Sequence, residues 1–284
     1  AQMRVRDTAA LVTLYQTHDG LPQSDVTCIF RDSHSIMWFG TRGGLARYDG
    51  EQFIPLRHNP MDSTSIGSND IRSIREDRQG NLWIATGHGV SHFMRETLVF
   101  KNYAIQGNGR PLFNRQGAES VHVDRRGNVW VITDASLELV DTLSGRVREY
   151  PFPAGRSYLP ACTKHVIGED AQGRLWIVIR GELLLFSMQD LAFVSDEELT
   201  VLLAGASYSN VSGLAFSSNG ALWISQQGNL YGYPELGMAP TVYPIPLGEP
   251  GTNPYEVGSV FTDANGMPWC RVASGLVRLD PEKQ

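Results

Sequence analysis

The sequence predicts an all-β fold, a β-propeller with six repeats in which each blade is a four-stranded antiparallel sheet. Three observations support this prediction. The tryptophans recur 45 to 47 residues apart, as Trp38, Trp83, Trp130, Trp176, Trp223 and Trp269. Each lies in the frame acid-x-x-Gly-x-apolar-Trp-apolar or a close variant of it, and each period holds several short strand patterns. A period in the forties with this content is typical of radial repeats.

The frame around each tryptophan predicts a tight turn followed by a buried strand. Four copies carry both the acid and the glycine, with the acids Asp77, Asp124, Asp170 and Asp263. The first copy has Asp32 but a serine in place of the glycine, and the fifth has Ser217 in place of the acid. We interpret the acid and the glycine as turn chemistry, in which glycine supplies a positive φ. The tryptophans are predicted to fill the wedge between adjacent blades.

The second repeat shows the predicted blade most clearly. Its strands are predicted over Ile71–Asp77, Asn81–Thr86, Val90–Met94 and Leu98–Tyr103. The second of these strands is apolar nearly throughout, so we expect it to be buried on both faces. The glycine-containing turns between them predict antiparallel pairing of consecutive strands.

The two chain ends bear on how the propeller closes. The sixth repeat shows three strand patterns, over Val257–Asp263, Pro268–Val272 and Leu276–Asp280, whereas an extra strand is predicted over Ala10–Tyr15. We infer that this N-terminal strand completes the last blade, which also removes open sheet edges. Alternatively, the chain is an excised segment of a larger propeller, and both can hold. The repeats use nearly the whole sequence and predict a single domain over residues 1–284.

One segment departs from the strand pattern. Ser195-Asp-Glu-Glu198 has the form of a capping box, and Leu199 to Gly205 follows as an apolar run with a glycine stop. This predicts a short helix inserted after the fourth blade. The acidic residues are interpreted as charge at the helix N-terminus and not as catalytic carboxylates.

Composition restricts the partners. The formal net charge is −6, and the only lysines are Lys101, Lys164 and Lys283. No basic stripe is visible, so we expect no nucleic-acid partner, and no apolar run has the length of a membrane span. The start at Ala1 without a leader is what a mature exported protein would show, although a chain cut from a longer one would look the same. Three cysteines cannot all pair within one chain.

The first repeat carries a family resemblance. The frames Asp-Gly-Leu-Pro-Gln-Ser-Asp25, Val26–Asp32 and Met37–Asp49 resemble the two-component regulator propeller repeats. Those repeats form periplasmic sensor regions of hybrid two-component proteins, common in polysaccharide-degrading gut Bacteroidetes. The resemblance implies a periplasmic ligand-sensing domain whose parent resembles a histidine kinase, with a β-sandwich, a membrane helix, a kinase and a regulator domain elsewhere. Family members usually carry more than six blades, which favours the excised segment.

We expect a ligand at the face that carries the long crossovers between blades, because these loops differ from one another on a repeated scaffold. Tyrosines beside hydrogen-bonding groups would suit an oligosaccharide or another small ligand. We expect no cofactor and no metal, and a homodimer is possible. The predicted ligand-binding residues are Arg42, Asn69, Asp70, His88, Glu119, Tyr158, Lys164, His165, Tyr208, Asn210, Tyr255 and Glu256.

Enzymatic alternatives find less support. Sialidase turn boxes place the acid and the glycine two apart, whereas they are three apart here. Propeller lyases of the streptogramin-lyase type have a closer repeat, but they need a paired His and Glu with a metal. His165, Glu119 and Glu256 could serve, yet no tight spacing supports them, and no nucleophile elbow or His-Glu-x-x-His motif occurs. We predict that the chain is not an enzyme, and a non-catalytic protein-interaction propeller is a further alternative.

Overall fold

The computed structural model describes residues 15–103, 117–153, 166–179, 181–206, 208–245, 259–263, 265–272 and 275–279. The chain divides into two compact units, Ala1–Asn102 and Tyr103–Gln284. Each unit is built of antiparallel sheets whose strands follow one another in sequence order, so every blade forms from one continuous stretch of chain.

Within residues 15–102, the first unit contains a 3-10 turn and two four-stranded sheets. The turn is Thr17–Asp19. The first sheet has the order β1-β2-β3-β4, formed by Val26–Arg31, Met37–Thr41, Gly44–Tyr48 and Phe53–Leu56. The second sheet has the order β5-β6-β7-β8, formed by Ile71–Glu76, Leu82–Thr86, Gly89–Met94 and Val99–Tyr103.

The described part of the second unit contains four sheets and one helix. Its first sheet comprises β9 (Ser120–Val123), β10 (Val129–Ile132), β11 (Ser136–Val140) and β12 (Val147–Pro151). Its second sheet comprises β13 (Val166–Glu169), β14 (Arg174–Ile179), β15 (Glu182–Ser187) and β16 (Ala192–Phe193). Helix α1 (Asp196–Leu202) follows. The third sheet comprises β17 (Val211–Phe216), β18 (Leu222–Gln226), β19 (Asn229–Tyr233) and β20 (Thr241–Pro244). The last sheet comprises β21 (Val260–Thr262), β22 (Pro268–Val272) and β23 (Gly275–Arg278).

The structure confirms the predicted fold class, a β-propeller in which each repeat forms one antiparallel blade. In the second repeat every predicted strand is present, with ends that differ by one residue at most, and β6 is buried at all five positions. Five repeats form four-stranded sheets, and the sixth shows three strands within the part of the chain that is described. The predicted closing strand lies at residues 10–15, of which 10–14 are outside the described residues.

The turn before each tryptophan has the predicted conformation. Gly80 adopts φ +80°, in the left-handed region that only glycine enters at little cost. In the first copy Ser35 takes the equivalent place with φ +66°, so a serine bears the strain there. The turn geometry is therefore retained even where the glycine is lost.

Helix α1 is confirmed at the predicted place, between β16 and β17. The Ser195 hydroxyl accepts a hydrogen bond from the Glu198 backbone N–H at 3.2 Å, which satisfies one of the free donors of the first turn. Gly205 has φ +82° just beyond the helix. The helix is held down by Leu199 and Leu203, which are buried in the same cluster as Trp176.

Three of the tryptophans, Trp38, Trp130 and Trp176, lie between consecutive blades of one unit, as predicted. In the first unit Trp38 packs with Ile84 of the next blade. In the second unit Trp130 packs with Ile177, and Trp176 packs with Ile224. The first five tryptophans are at most 7% exposed, whereas Trp269 is only half-buried. The interblade role of these aromatic side chains is therefore structural.

The repeated acid has a second role that the sequence did not reveal. In five of the six repeats its Oδ2 accepts a hydrogen bond from the indole N–H of the tryptophan six residues later, at 2.8 to 3.1 Å. The other carboxylate oxygen accepts backbone N–H groups of the turn, as Asp124 does from Arg126 and Asn128 at 2.8 Å. The acid thus fixes the turn to the interblade tryptophan.

The fifth repeat shows what happens without the acid. Ser217 is buried, but its hydroxyl bonds to Asn219 Oδ1 and to the Ala221 carbonyl. The Trp223 indole nitrogen is buried without a hydrogen-bond partner. A buried unsatisfied donor costs about 1–3 kcal/mol, so this blade lacks a stabilising contact that the others have.

A buried glutamate, Glu138, lies on β11 with 3% exposure. Its Oε1 accepts from the Ser136 hydroxyl at 3.1 Å, and its Oε2 has no hydrogen-bond partner. Burial raises the pKa of the Glu138 carboxyl to about 8, with a further contribution from the nearby negative charges of Glu149 and Asp134. At neutral pH we expect this side chain to hold its proton.

This protonation makes stability depend on pH. Between the ordinary glutamate value of 4.5 and about 8, the folded chain holds a proton that the unfolded chain has released. The free energy of unfolding therefore falls as pH rises through that window, by roughly a few kcal/mol. Glu138→Gln should remove this loss and be more stable than the native chain above the window, measured by urea denaturation. Equal pH dependence of both proteins would contradict this, and Glu96→Gln, an exposed position of the first unit that is not among the charges acting on Glu138, serves as the control.

Candidate ligand-binding site

A cleft in the second unit lies beside helix α1, at the crossover end of the fourth blade. Its volume is about 220 Å³. The residues that line it come from the start of β15, from α1 and from the segment that leads to β17, namely Glu182, Leu183, Asp196, Leu199, Thr200, Leu203, Ala206 and Tyr208. The cleft therefore lies on the face where the sequence predicted ligand binding.

The wall of the cleft is anchored by a pair of tyrosines. The Tyr208 and Tyr233 hydroxyls are hydrogen-bonded to each other, and the Tyr233 hydroxyl donates to the Leu203 carbonyl at 3.3 Å. Burial raises the pKa of Tyr208 well above its ordinary value, so its hydroxyl stays neutral. The Gly237 backbone N–H donates to the Leu202 carbonyl at 2.7 Å. These contacts fix the C-terminal end of α1 to the fifth blade.

The lining has an apolar side and a polar side. Leu183, Leu199, Leu203 and Ala206 supply aliphatic surface, and the Tyr208 ring continues it. The polar groups are the carboxylates of Glu182 and Asp196 and the hydroxyl of Thr200. The Thr200 hydroxyl donates to the Asp196 carbonyl at 2.7 Å, which leaves its oxygen available as an acceptor. An apolar surface beside a few polar groups is the usual composition of a small-molecule site.

The predicted ligand-binding residues of the first unit lie at the crossover ends of its blades, but several are engaged in holding loops. Asn69 Oδ1 accepts from the His58 backbone N–H at 2.8 Å, which fixes the crossover before β5. Asp70 Oδ2 pairs with Arg72 at 2.9 Å. The Asp70 carbonyl accepts from the N–H of Gly87, the residue before His88, so Asp70 and His88 share one end of the second blade.

The other predicted residue of the first unit, Arg42, is exposed. Arg42 Nε lies 3.7 Å from Asp25 Oδ2, and both side chains are more than half exposed. His88 is also exposed. Exposed ion pairs of this kind contribute little to stability, so these residues are not needed to hold the blade together.

In the second unit the structure brings one predicted residue into the cleft. Tyr208 lines it, although the side chain is only 9% exposed. Asn210 adopts φ +59° and lies against Gly181, where a Cβ would come within 3.2 Å of the Asn210 Cα. The Glu119 backbone N–H donates to the Ile132 carbonyl at 2.8 Å. The remaining predicted residues lie outside the described part of the chain, namely Tyr158, Lys164, His165, Tyr255 and Glu256.

Three polar residues of the cleft were not predicted as ligand-binding. Asp196 was interpreted as helix charge, and Thr200 as an ordinary helix residue. Glu182 begins β15, whose next four residues are apolar and buried. The sequence did contain a signal for the cleft, because a helix inserted into a crossover forms a wall beside the blade. The sequence could not show which strand end would face that wall.

Two features are absent from the described residues. Within them, no three His, Cys, Asp or Glu side chains come together as a group that could hold a metal ion. No helix in the described ranges is long and apolar enough to cross a membrane.

Comparison with known families supports the resemblance seen in the first repeats. The family model described as Two component regulator propeller matches residues 20–43 and 65–88. A curated protein named Histidine kinase P4, from Formosa agariphila, is 52% identical over 48 residues. That match covers 17% of this chain and 4% of the length of the relative. The predicted resemblance to two-component regulator propeller repeats is thus confirmed.

Comparison with solved structures shows the fold over nearly the whole chain. The extracellular domain of a hybrid two component system from B. thetaiotaomicron has a TM-score of 0.68 at 18% identity, covering 95% of this chain and 34% of that one. A second extracellular domain, from a one component system of B. thetaiotaomicron, has a TM-score of 0.67 at 21% identity, covering 91% and 35%. A streptogramin B lyase has a TM-score of 0.61 at 13% identity, covering 90% and 78%.

These findings define a class of protein. The chain is a propeller domain that resembles the extracellular domains of a hybrid two component system and of a one component system, and it carries repeats of the two-component regulator propeller type. It spans about a third of the length of the two B. thetaiotaomicron chains.

Proposed function

We propose that this chain is the exported, periplasmic ligand-sensing propeller of a hybrid two-component regulator and that it recognises an oligosaccharide. The parent protein would be anchored in the inner membrane and would resemble a histidine kinase. The matches to two-component regulator propeller repeats and to a histidine kinase support this proposal, together with the likeness to extracellular domains of two-component systems. The signal would pass to domains that lie elsewhere in the parent.

The cleft beside α1 is the observation that carries the ligand-binding part of the proposal. It lies at the crossover end of the fourth blade, and it joins an aliphatic and aromatic surface to two carboxylates and a hydroxyl. A sugar ring presents an apolar face and a hydroxylated edge, so such a lining can contact both. The ligand would contact loops that differ between blades, which allows specificity.

In this proposal the domain binds and performs no chemistry. Its partners are the oligosaccharide, the remaining sensor domains of the parent and, as a means of signalling, a second copy of the chain. The streptogramin B lyase shares the fold at 13% identity, and that likeness carries no catalytic residue to this chain.

Calorimetry with a panel of oligosaccharides tests the proposal. Tyr158→Ala, Lys164→Ala and Tyr255→Ala, each in or next to a crossover predicted from the sequence, should weaken binding by about 1–3 kcal/mol if the residue is a buried anchor and by little if it lies at the rim. Arg78→Ala, an exposed change in a turn of the opposite face, should leave affinity unchanged.

Arg125, in the corresponding turn of the third repeat, contacts the fourth blade. The Arg125 backbone N–H donates to Glu169 Oε2 at 2.8 Å, and its guanidinium donates to the Asp170 carbonyl at 3.2 Å. Replacing Arg125 would disturb the contact between the third and fourth blades, so Arg78 is the cleaner control. Loss of binding in Arg78→Ala with no effect of the crossover changes would overturn the proposed face. Turnover of a bound ligand would favour the lyase alternative, and absence of binding by the whole panel would favour a protein-interaction propeller.

A further inference from the structure

We propose that the turn before β18, in the fifth repeat, binds a small carboxylate anion, of which formate is the smallest. The anion would take the place that the aspartate carboxylate has in the other five repeats. This site lies in the turn that begins at Ser217 and ends at the buried Trp223, and it goes beyond the proposed oligosaccharide sensing.

The third repeat shows which groups hold a carboxylate at this place. Asp124 accepts from the backbone N–H groups of Arg126 and Asn128, both at 2.8 Å, and from the indole N–H of Trp130 at 2.9 Å. Hydrogen bonds to an ionised acceptor are roughly twice as strong as bonds between neutral groups. Each repeat of this kind therefore contains a small anion-binding arrangement that its own aspartate fills.

The fifth repeat keeps the backbone of this arrangement without the acid. The Ser217 N–H donates to the Ala221 carbonyl and the Gly220 N–H donates to the Ser217 carbonyl, both at 2.9 Å, as in the turn at Asp124. Gly220 has φ +87°, against +86° for Gly127 in the third repeat. The backbone donors that hold the carboxylate elsewhere therefore keep their places.

The indole N–H of Trp223 is a fixed donor that no described residue satisfies. Trp223 is 7% exposed, and its Nε1 is buried without a hydrogen-bond partner. Gly232 lies opposite it on β19, where a Cβ would come within 2.5 Å of the indole ring, so the ring packs directly on the strand. Because nearly all buried polar groups in proteins have a partner, this donor points to a bound group.

The size of the site restricts that group. A serine side chain is shorter than an aspartate side chain by most of a carboxyl group. The Ser217 hydroxyl bonds to Asn219 Oδ1 and to the Ala221 carbonyl, and it does not reach the indole N–H. A Cβ on Gly220 would meet no heavy atom within 4 Å, so the turn is open toward solvent. A formate ion can enter there, whereas a sugar ring is too large.

The character of the donors favours an anion. The Trp223 indole can only donate, and the Ala221 N–H is bonded at 3.2 Å to the side chain of Asn219, which is exposed and can turn to solvent. With that side chain turned away, the site offers two N–H donors to a carboxylate oxygen. The same two donors, four and six residues after the acid, bind the carboxylate in the third repeat.

Indole N–H signals in a proton–nitrogen NMR spectrum test this site directly. The chain has six tryptophans, and Trp223→Phe identifies the signal of Trp223 by its loss. We expect sodium formate, compared with sodium chloride at equal ionic strength, to move the Trp223 signal in a saturable way and to leave the other signals in place. In Ser217→Asp the site has its own carboxylate, so formate should not move the signal.

Urea denaturation gives an independent measure. An anion that binds only the folded chain lowers the unfolding equilibrium constant, and we expect a decrease of at least about threefold in about 0.1 M formate relative to chloride. Ser217→Asp should show no difference between the two salts. Asp124→Ser gives the third repeat the same serine, so it should gain a second site and respond to formate more strongly than the native chain. This variant tests the site even if Ser217→Asp does not fold.

Three outcomes would overturn the anion site. A formate effect of equal size in the native chain and in Ser217→Asp would mean that the ion acts elsewhere. Equal effects of formate and chloride would mean that no carboxylate is selected. Absence of any shift of the Trp223 signal would leave an ordered water molecule as the partner of the indole. None of these results bears on oligosaccharide sensing, which the separate binding panel tests.

Discussion

Replacing Trp130 by alanine should lower the free energy of unfolding by about 3–5 kcal/mol, the usual cost of removing a large aromatic side chain from a core. Trp130 is 1% exposed, and its ring centroid lies 5.4 Å from that of Phe186 on the next blade. The variant would leave a cavity between two blades and an unused acceptor on Asp124. Urea denaturation followed by circular dichroism measures the effect, and Trp83→Ala, at 2% exposure, should behave alike.

Trp269 provides the matched control. It occupies the same place in the repeat, but it is only half-buried. Trp269→Ala should therefore cost clearly less than Trp130→Ala, because less apolar area leaves water when that side chain folds. If Trp130→Ala leaves the denaturation midpoint unchanged, the interblade packing described above is wrong. If all three variants lose the same amount, burial does not determine the contribution of the repeated tryptophan.

The second large effect is expected from Asp124→Ser, which gives the third repeat the residue that the fifth repeat has naturally. Asp124 is 3% exposed, and its Oδ2 accepts from Trp130 Nε1 at 2.9 Å and from Asn128 Nδ2 at 2.8 Å. The change removes these acceptors and leaves a buried indole N–H without a partner. We expect a loss of about 2–4 kcal/mol, since each buried unsatisfied group costs about 1–3 kcal/mol.

A double-mutant cycle identifies the tryptophan contact as the source. Trp130→Phe keeps an aromatic ring and removes the indole N–H, so Asp124→Ser should cost less in that background than in the native chain. Equal costs in both backgrounds would mean that Asp124 acts only through the turn backbone.

In the opposite direction, Ser217→Asp should offer Trp223 the missing acceptor. We expect a gain of about 0.5–1.5 kcal/mol, the net value of one hydrogen bond, and a loss would contradict it.

The Asp124 carboxyl group also makes the stability of the fold depend on pH in the acid range. Burial raises the pKa of Asp124, but hydrogen bonds from Trp130, Asn128 and Arg126 outweigh it, so the pKa lies below its ordinary value. The stabilisation is present above the unfolded-state value and is lost as pH falls through the folded one. Asp32 shows the same direction, because Trp38, Arg95 and Ile36 bond to its carboxylate against the effect of burial.

Local pattern was enough to predict the blades. The tryptophan period located each repeat, and the strands of the second repeat were placed to within one residue because apolar alternation and turn residues are local signals. The α1 helix was predicted for the same reason, from the Ser195 cap, the apolar run and the stop at Gly205. The family resemblance was carried by residues within single repeats, and the family model matches two such repeats.

The tertiary structure decided which side chains meet. The acid and the tryptophan were recognised as neighbours in a frame, but their hydrogen bond depends on the antiparallel pairing that folds the turn back over the ring. Likewise, Glu182 and Asp196 lie on separate elements, and only the docking of α1 beside the fourth blade places them in one cleft. Sequence patterns report the periodicity of one strand or helix, whereas a site forms where elements distant in sequence pack together. That packing depends on the buried contacts of Leu199, Leu203 and Tyr208, which no local pattern specifies.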